Sequence, residues 1–227
     1  MDGRIEIIHE DEHLCVCRKG PGIAVESADL SQRDMMGELK RYLKGSGLFM
    51  IHRLDQPVEG LVVFAKDRES AAVLSKAVSA EGMNKIYLAE VYGRAPAGRG
   101  MLTDYIKKAG KGNLSLISAK NDPAAKEARL EYEVAAVKDR TTLLKIKLLT
   151  GRHHQIRLQL SAAGLPILGD RKYADEEACA YSAEQKIKDI RLCAYMLEFD
   201  HPVTKEKMQF KRPPAWSFTY PEVSDKL

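Results

Sequence analysis

Phe49-Met50-Ile51-His52-Arg53-Leu54-Asp55-Gln56-Pro57 leads, through Val58-Glu59-Gly60, into the apolar run Leu61-Val62-Val63-Phe64-Ala65. Pro57 has no backbone N–H and biases Gln56 towards extended geometry, so the stretch is not a helix interior. An unbroken apolar run bounded by turn signals reads as a buried strand. Asp55 therefore sits on a loop or turn that feeds a buried strand. Scaffold-held loops commonly carry functional groups, and a carboxylate there can act as nucleophile or general base. A turn aspartate before a proline, or a surface ion pair with Arg53, fits the same residues, and spacing alone favours these plainer readings. The kinase catalytic loop is excluded, because Leu54 breaks its pattern and no Gly-rich loop or metal-binding DFG accompanies it.

On the N-terminal side, Ile5-Glu6-Ile7-Ile8 and Leu14-Cys15-Val16-Cys17 read as a hairpin around Glu10-Asp11-Glu12, ended by Gly20-Pro21-Gly22. Helical spacing of Met35, Leu39, Tyr42 and Leu43 follows, with Ser31 as candidate N-cap and Gly45 as stop. On the C-terminal side, Asp67 is placed to cap a helix carrying Ala71, Leu74 and Val78, ended near Gly82. Residues 86–92 form a strand and 93–100 a Gly/Pro-rich loop. Residues 107–112 form a basic turn. Alternation at Leu130, Tyr132 and Val134, and again at Thr142, Leu144, Ile146 and Leu148, predicts two more strands. A helix is expected over 152–163, stopped by Gly164-Leu165-Pro166, and Ser182 is placed to cap another running to Ile190. Strands near 192–199 and 208–210 flank a turn at Asp200-His201-Pro202. Many hairpins and few βαβ alternations argue for an α+β fold on a mainly antiparallel mixed sheet flanked by helices. No linker divides the chain, so one domain over 1–227 is expected.

Composition narrows the function classes. Lys plus Arg exceed Asp plus Glu by 36 to 32, giving +4, which permits a basic face for a polyanion without demanding one. No apolar run approaches the roughly 18 residues of a membrane span, and the N-terminus is too acidic for a secretory signal, so a cytoplasmic protein is expected. Cys15, Cys17, Cys179 and Cys193 include no CxxC pair and read as buried reduced thiols.

Two further segments carry chemistry. Gly151-Arg152-His153-His154-Gln155-Ile156-Arg157 concentrates polar donors at a helix start, where anions are favoured and arginine binds phosphate or carboxylate bidentately. On a helix the adjacent histidines would point apart and make poor co-ligands, and HExxH spacing is absent. An ordinary polar helix start explains these residues about as well. Lys85-Ile86-Tyr87 puts a cation and an aromatic on one strand face, suited to phosphate contact and base stacking, although a strand tyrosine is more often a packing residue.

In their order along the chain these segments resemble the RluA-type family of RNA pseudouridine synthases. Residues 4–22 are similar to its opening hairpin. His52-Arg53-Leu54-Asp55 with Gly60-Leu61-Val62-Val63-Phe64-Ala65-Lys66 resembles its central motif. Lys85-Ile86-Tyr87-Leu88-Ala89-Glu90-Val91-Tyr92-Gly93 resembles its KxYxAxVxG strand, and residues 151–157 its GRTHQIR segment. Ile167-Leu168-Gly169-Asp170 with Tyr173 resembles its ILGDxxY loop, and residues 191–202 its closing hairpin. The chain departs from the pattern at Val58-Glu59, where Thr-Ser is common, at His153, which replaces a small hydroxyl residue, and at Gln159, which replaces a common histidine. Glu59 adds negative charge near a site that must accept RNA.

The resemblance implies the pseudouridine synthase fold with a central cleft, no N-terminal S4-like module, and Asp55 as the catalytic carboxylate acting on a uridine flipped from its stack. It further implies that Tyr87 stacks on or orients the base and that Arg157 pairs with Asp55. Arg53, His52, Lys85, Arg152, His154 and Gln155 are then candidate RNA contacts. Structured rRNA or tRNA is the expected partner, with a monomeric enzyme and no metal, nucleotide or other cofactor. Two rivals remain: a non-catalytic RNA-binding protein or RNA chaperone on the same fold, and a metal-dependent hydrolase using His52, Asp55, His153 and His154.

Overall fold

In the computed structural model, residues 2–29, 31–44, 47–80, 82–96, 98–110 and 112–216 are described. The order of elements is β1 (Ile5–Glu10), β2 (Leu14–Lys19), α1 (Met35–Tyr42), β3 (Phe49–Met50), β4 (Glu59–Ala65), α2 (Arg68–Ser79), β5 (Asn84–Tyr92), β6 (Arg99–Lys108), β7 (Ser115–Ser118), β8 (Lys126–Lys138), β9 (Thr141–Leu148), α3 (Gln155–Ala162), α4 (Glu176–Glu184), β10 (Leu192–Asp200) and β11 (Lys207–Lys211). Strands dominate, almost all pairings are antiparallel, and β4 with β10 is parallel. The mixed sheet expected from the hairpin-rich pattern is present.

The chain forms two compact units, Met1–Lys85 with Cys193–Pro214, and Ile86–Leu192 with Ala215–Leu227. In the first, β2 lies between β1 and β4, and β10 pairs with β4 and β11. Every residue of β4 is buried, as an apolar run covered on both faces requires. Gly60 has φ +126°, and a Cβ there would run into the backbone of Ala194, so only glycine lets β4 approach β10 this closely. Leu14, Val16, Leu61, Val63, Leu74, Leu197 and Phe199 form the core beneath α2. Burying Leu74 of α2 contributes about 1.5–3 kcal/mol. Asp67 caps α2 as expected, accepting from the Ser70 N–H at 2.7 Å.

In the second unit the sheet runs β5-β9-β8-β6-β7. Its buried residues include Leu88, Val91, Leu130, Leu144 and Ile146 from the strands and Ile156 and Leu160 from α3.

Several local expectations are corrected. α1 is capped by Asp34, not Ser31: the Asp34 carboxylate accepts from the Gly37 N–H at 2.8 Å, whereas the Ser31 N–H donates to the Asp29 carboxylate at 2.9 Å. The expected stop at Gly45 lies outside the described residues. The 93–100 loop yields to β6 at Arg99, and β6 continues through Lys108, so the basic turn begins later than expected. Ser182 does not start a helix. Asp175 caps α4 at 176–184, and Ser182 sits inside it, donating to the Ala178 carbonyl at 2.6 Å and accepting from the Gly169 N–H. Cys15, Cys17 and Cys193 are buried free thiols, whereas Cys179 is exposed on α4.

Candidate active site

The Asp55 loop belongs to the first unit. Residues 51–58 form irregular chain between β3 and β4, turning at Gln56-Pro57, and the Val58 N–H donates to the Asp55 carbonyl at 3.0 Å. The loop is fastened to the turn that ends the opening hairpin. The Gln56 carbonyl accepts from the Gly22 N–H at 2.9 Å, and the Gln56 amide donates back to the Gly22 carbonyl at 3.2 Å. Leu54 is buried, which anchors the residue before Asp55, and the Asp55 side chain is half-buried.

Beneath this loop lies a lysine with no solvent exposure. Lys19 Nζ donates to the carbonyls of Gly20 (3.0 Å), Ile23 (2.8 Å) and Gln56 (2.9 Å), so an ammonium uses all three hydrogens on backbone acceptors. Burial pulls Lys19 down to about 7, against the upward pull of the Asp55 and Glu59 carboxylates. Sequence reasoning missed this residue because lysine is usually exposed. The available signal was its position before Gly20-Pro21-Gly22, where tight turns turn carbonyls inward.

His52 accepts from the Val63 N–H through Nε2 at 3.3 Å. Burial, then the charge of Lys85, lowers it to about 3, so its imidazole is neutral and accepts from the strand. Arg53 is exposed, as a phosphate contact would need, and Lys85 is half-buried with its pKa lowered by burial. Glu59, the departure from the family pattern, is buried and paired with Arg18 at 3.0 Å. Its charge is thus met locally by a cation from β2.

The second unit carries Tyr87 and the 151–157 segment. Tyr87 is buried on β5, opposite Ile146 of β9. Arg157, buried on α3, makes a fork with Asp170: Nε to Oδ2 at 2.8 Å and Nη2 to Oδ1 at 2.6 Å. Its guanidinium also lies over the Tyr173 ring, 5.2 Å from the centroid. Asp170 further accepts from the Lys172 N–H. These two partners, Asp170 and Tyr173, were legible only as letters of the 167–173 segment, with no role attached.

The helix expected from residue 152 begins at Gln155. His154 has φ +55°, in the left-handed region, and ends the preceding turn. That conformation cancels the divergence expected of neighbouring helical residues: the His153 and His154 rings stack at 3.7 Å, 24° from parallel. His154 is buried with Nδ1 2.7 Å from the Tyr173 hydroxyl. Gln155 is also buried, and its amide is fully used. It accepts from Thr150 Oγ1 (2.8 Å) and the Arg152 N–H (2.9 Å), and donates to the Arg129 carbonyl and Gln159 Oε1 (both 3.0 Å). Both residues brace the loop. Arg152, by contrast, is half-buried, with Nε held by the Glu127 carbonyl at 2.8 Å. Among the described residues, no group of three or more His, Cys, Asp or Glu side chains is arranged to hold a metal ion, and no helix is long and apolar enough to cross a membrane.

Comparison with known proteins agrees with the motif order. Residues 13–162 match the family model for RNA pseudouridylate synthase. The dual-specificity RNA pseudouridine synthase RluA of Pasteurella multocida is 33% identical over 228 residues, covering 95% of each chain. The ribosomal large subunit pseudouridine synthase C of Rickettsia bellii is 31% identical over 179 residues, covering 78% of this chain and 59% of its own. Human RNA pseudouridylate synthase domain containing 1 shares the fold, with a TM-score of 0.74 at 21% identity, over 92% of this chain and 83% of that one. Motif order, fold and these likenesses agree: the chain belongs to the RluA-type family of RNA pseudouridine synthases, and it is an isomerase of that class.

Proposed function

We propose that this enzyme isomerises specific uridines in structured rRNA or tRNA, with Asp55 as its catalytic carboxylate. The observation that carries the reading is the fastening of the Asp55 loop. Gln56 is held by Gly22 and by Lys19, so the neighbouring carboxylate is presented from a fixed backbone. The name of the Rickettsia relative, a ribosomal large subunit pseudouridine synthase, supports rRNA among the substrates.

The reaction breaks the bond from N1 to the ribose C1′, turns the base, and joins C5 to C1′. N1 gains a proton and C5 loses one, so atoms and electrons balance without an oxidant, reductant or group donor. The enzyme is proposed to work without a cofactor, as a monomer in the cytoplasm. The target base leaves its stack at a cost of a few kcal/mol, offset by stacking and phosphate contacts. Tyr87 supplies the aromatic surface that orients the base, and Arg157 is the proposed partner of the Asp55 carboxylate. Arg53, Lys85 and Arg152 take RNA phosphates.

The test uses total RNA from a strain lacking the gene. After incubation with purified protein, new pseudouridines are mapped by chemical labelling and reverse-transcription stops. Stops made by the wild type and absent with Asp55→Asn are expected, and they name the substrate. Tight RNA binding without any stop would instead support the non-catalytic RNA-binding reading.

A further inference from the structure

His153 stands where the family pattern has a small hydroxyl residue, and its surroundings give the imidazole a role that no such residue could fill. Ser115, the first residue of β7, meets it twice: Ser115 Oγ lies 2.8 Å from His153 Nδ1 and 2.9 Å from the His153 carbonyl. A carbonyl only accepts, so the serine hydrogen goes to it, and His153 Nδ1–H donates to Oγ. The same serine's backbone N–H donates to the Tyr173 hydroxyl at 2.8 Å, which leaves that hydroxyl's hydrogen for His154 Nδ1. Lys172 Nζ adds a bond to the Asn113 carbonyl at 2.9 Å. The start of β7 is thus fastened both to the turn before α3 and to the segment after Asp170.

The rings continue the chain of contact. His153 stacks on His154, and His154 meets the Tyr173 ring edge-on at 5.5 Å. Tyr173 carries the Arg157 guanidinium on its face, and Ser161 Oγ holds the Tyr173 carbonyl at 2.5 Å. The column runs from a half-exposed imidazole to the buried guanidinium of Arg157 without a gap.

We propose that His153 is a positioning residue for Arg157, clamping β7 to the turn before α3 and closing the outer end of the ring column. This rests on the reading of Arg157 as part of the catalytic machinery. A threonine at 153 has neither the reach to Ser115 nor a ring to stack, so this chain fixes its arginine by a device that the family pattern lacks.

The test measures kcat, KM and RNA affinity for His153→Ala, His153→Thr and Ser115→Ala, the double variant His153→Ala/Ser115→Ala, and Asp55→Asn as reference. Each single variant is expected to lower kcat roughly five- to twentyfold with KM and RNA affinity nearly unchanged. The double variant is expected to lose little more than one single, because both changes cut one link. His153→Asn, whose amide nitrogen mimics Nδ1, restores part of kcat. It also keeps the test open if the alanine variant fails to fold. A rise in KM with kcat intact would overturn the proposal in favour of direct RNA contact, and unchanged parameters would overturn it outright. Wild-type activity in Asp55→Asn would instead strike at the catalytic reading itself, and so separates the two failures.

Discussion

The Asp55 loop and the Arg157 column solve the same problem, holding a charged group still, by opposite means. Asp55 lies on irregular chain, and its neighbour Gln56 is fixed through backbone groups: one buried ammonium takes three carbonyls, and Gly22 exchanges two bonds with Gln56. Arg157 lies on a helix and is fixed through side chains, by a carboxylate fork, an aromatic face and a histidine stack. The first device depends on one charge and therefore on pH. The second is distributed over several side chains, so its outer members can be removed one at a time. Its buried ion pair cannot, because removing one partner of a buried pair is costly.

The contrast is broken most forcefully at that pair. Asp170→Ala leaves the Arg157 guanidinium buried without its fork and is expected to cost about 3–5 kcal/mol of stability in denaturant unfolding. A cost below about 1 kcal/mol, the worth of an exposed pair, would show that solvent reaches Arg157 easily.

Lys19→Met tests the other device. It leaves the Gln56 carbonyl without its ammonium donor and is expected to lower kcat by roughly tenfold with little change in RNA affinity. The pH dependence follows from the lowered pKa. Unfolded, the lysine holds its proton up to its ordinary value of 10.5, whereas folded it begins to release it near 7. Between those limits the unfolded chain binds more protons, so this residue makes the wild type gain stability as pH rises. Wild-type stability relative to Lys19→Met should therefore climb from about pH 7 towards 10. Over the same range a neutral amine has too few hydrogens for three carbonyls, and wild-type kcat should fall while the variant's stays flat. A flat stability difference would mean that the lysine keeps its ordinary pKa.

Tyr87→Phe gives the smallest effect. The ring still stacks, so activity should stay within about threefold, since stacking rather than the hydroxyl carries the contact. Complete loss would assign the hydroxyl a chemical step.

The fold was legible where the pattern was strong. The run 61–65 and the opening and closing hairpins read directly, because burial on both faces or regular alternation leaves little choice. β6 and β7 were not, since Gly100 and polar residues interrupt their pattern. Gly100 is there because the Tyr132 ring of β8 lies against it and leaves no space for a Cβ. Caps were misread where several candidates lay close together: Ser31 and Asp34 both suit an N-cap, and tertiary geometry chose Asp34. Of the site, the loop position of Asp55 and the strand position of Tyr87 could be read, as could the helical placement of Arg157. The partners could not. Asp170 and Tyr173 lie 13 and 16 residues beyond Arg157, Ser115 is on a strand that was not foreseen, and Lys19 is 37 residues before Gln56. Contacts across such separations leave no local period in a sequence.

The central claim, that the carboxylate of Asp55 makes pseudouridine, is tested most directly by release of tritium from C5-labelled uridine in the mapped RNA. C5 must lose its hydrogen when it joins the ribose. Wild type is expected to release the label in full under single-turnover conditions. Asp55→Asn, folded and binding the RNA with nearly unchanged affinity, should be slower by at least about a thousandfold. Release at the wild-type rate by that variant would contradict the account.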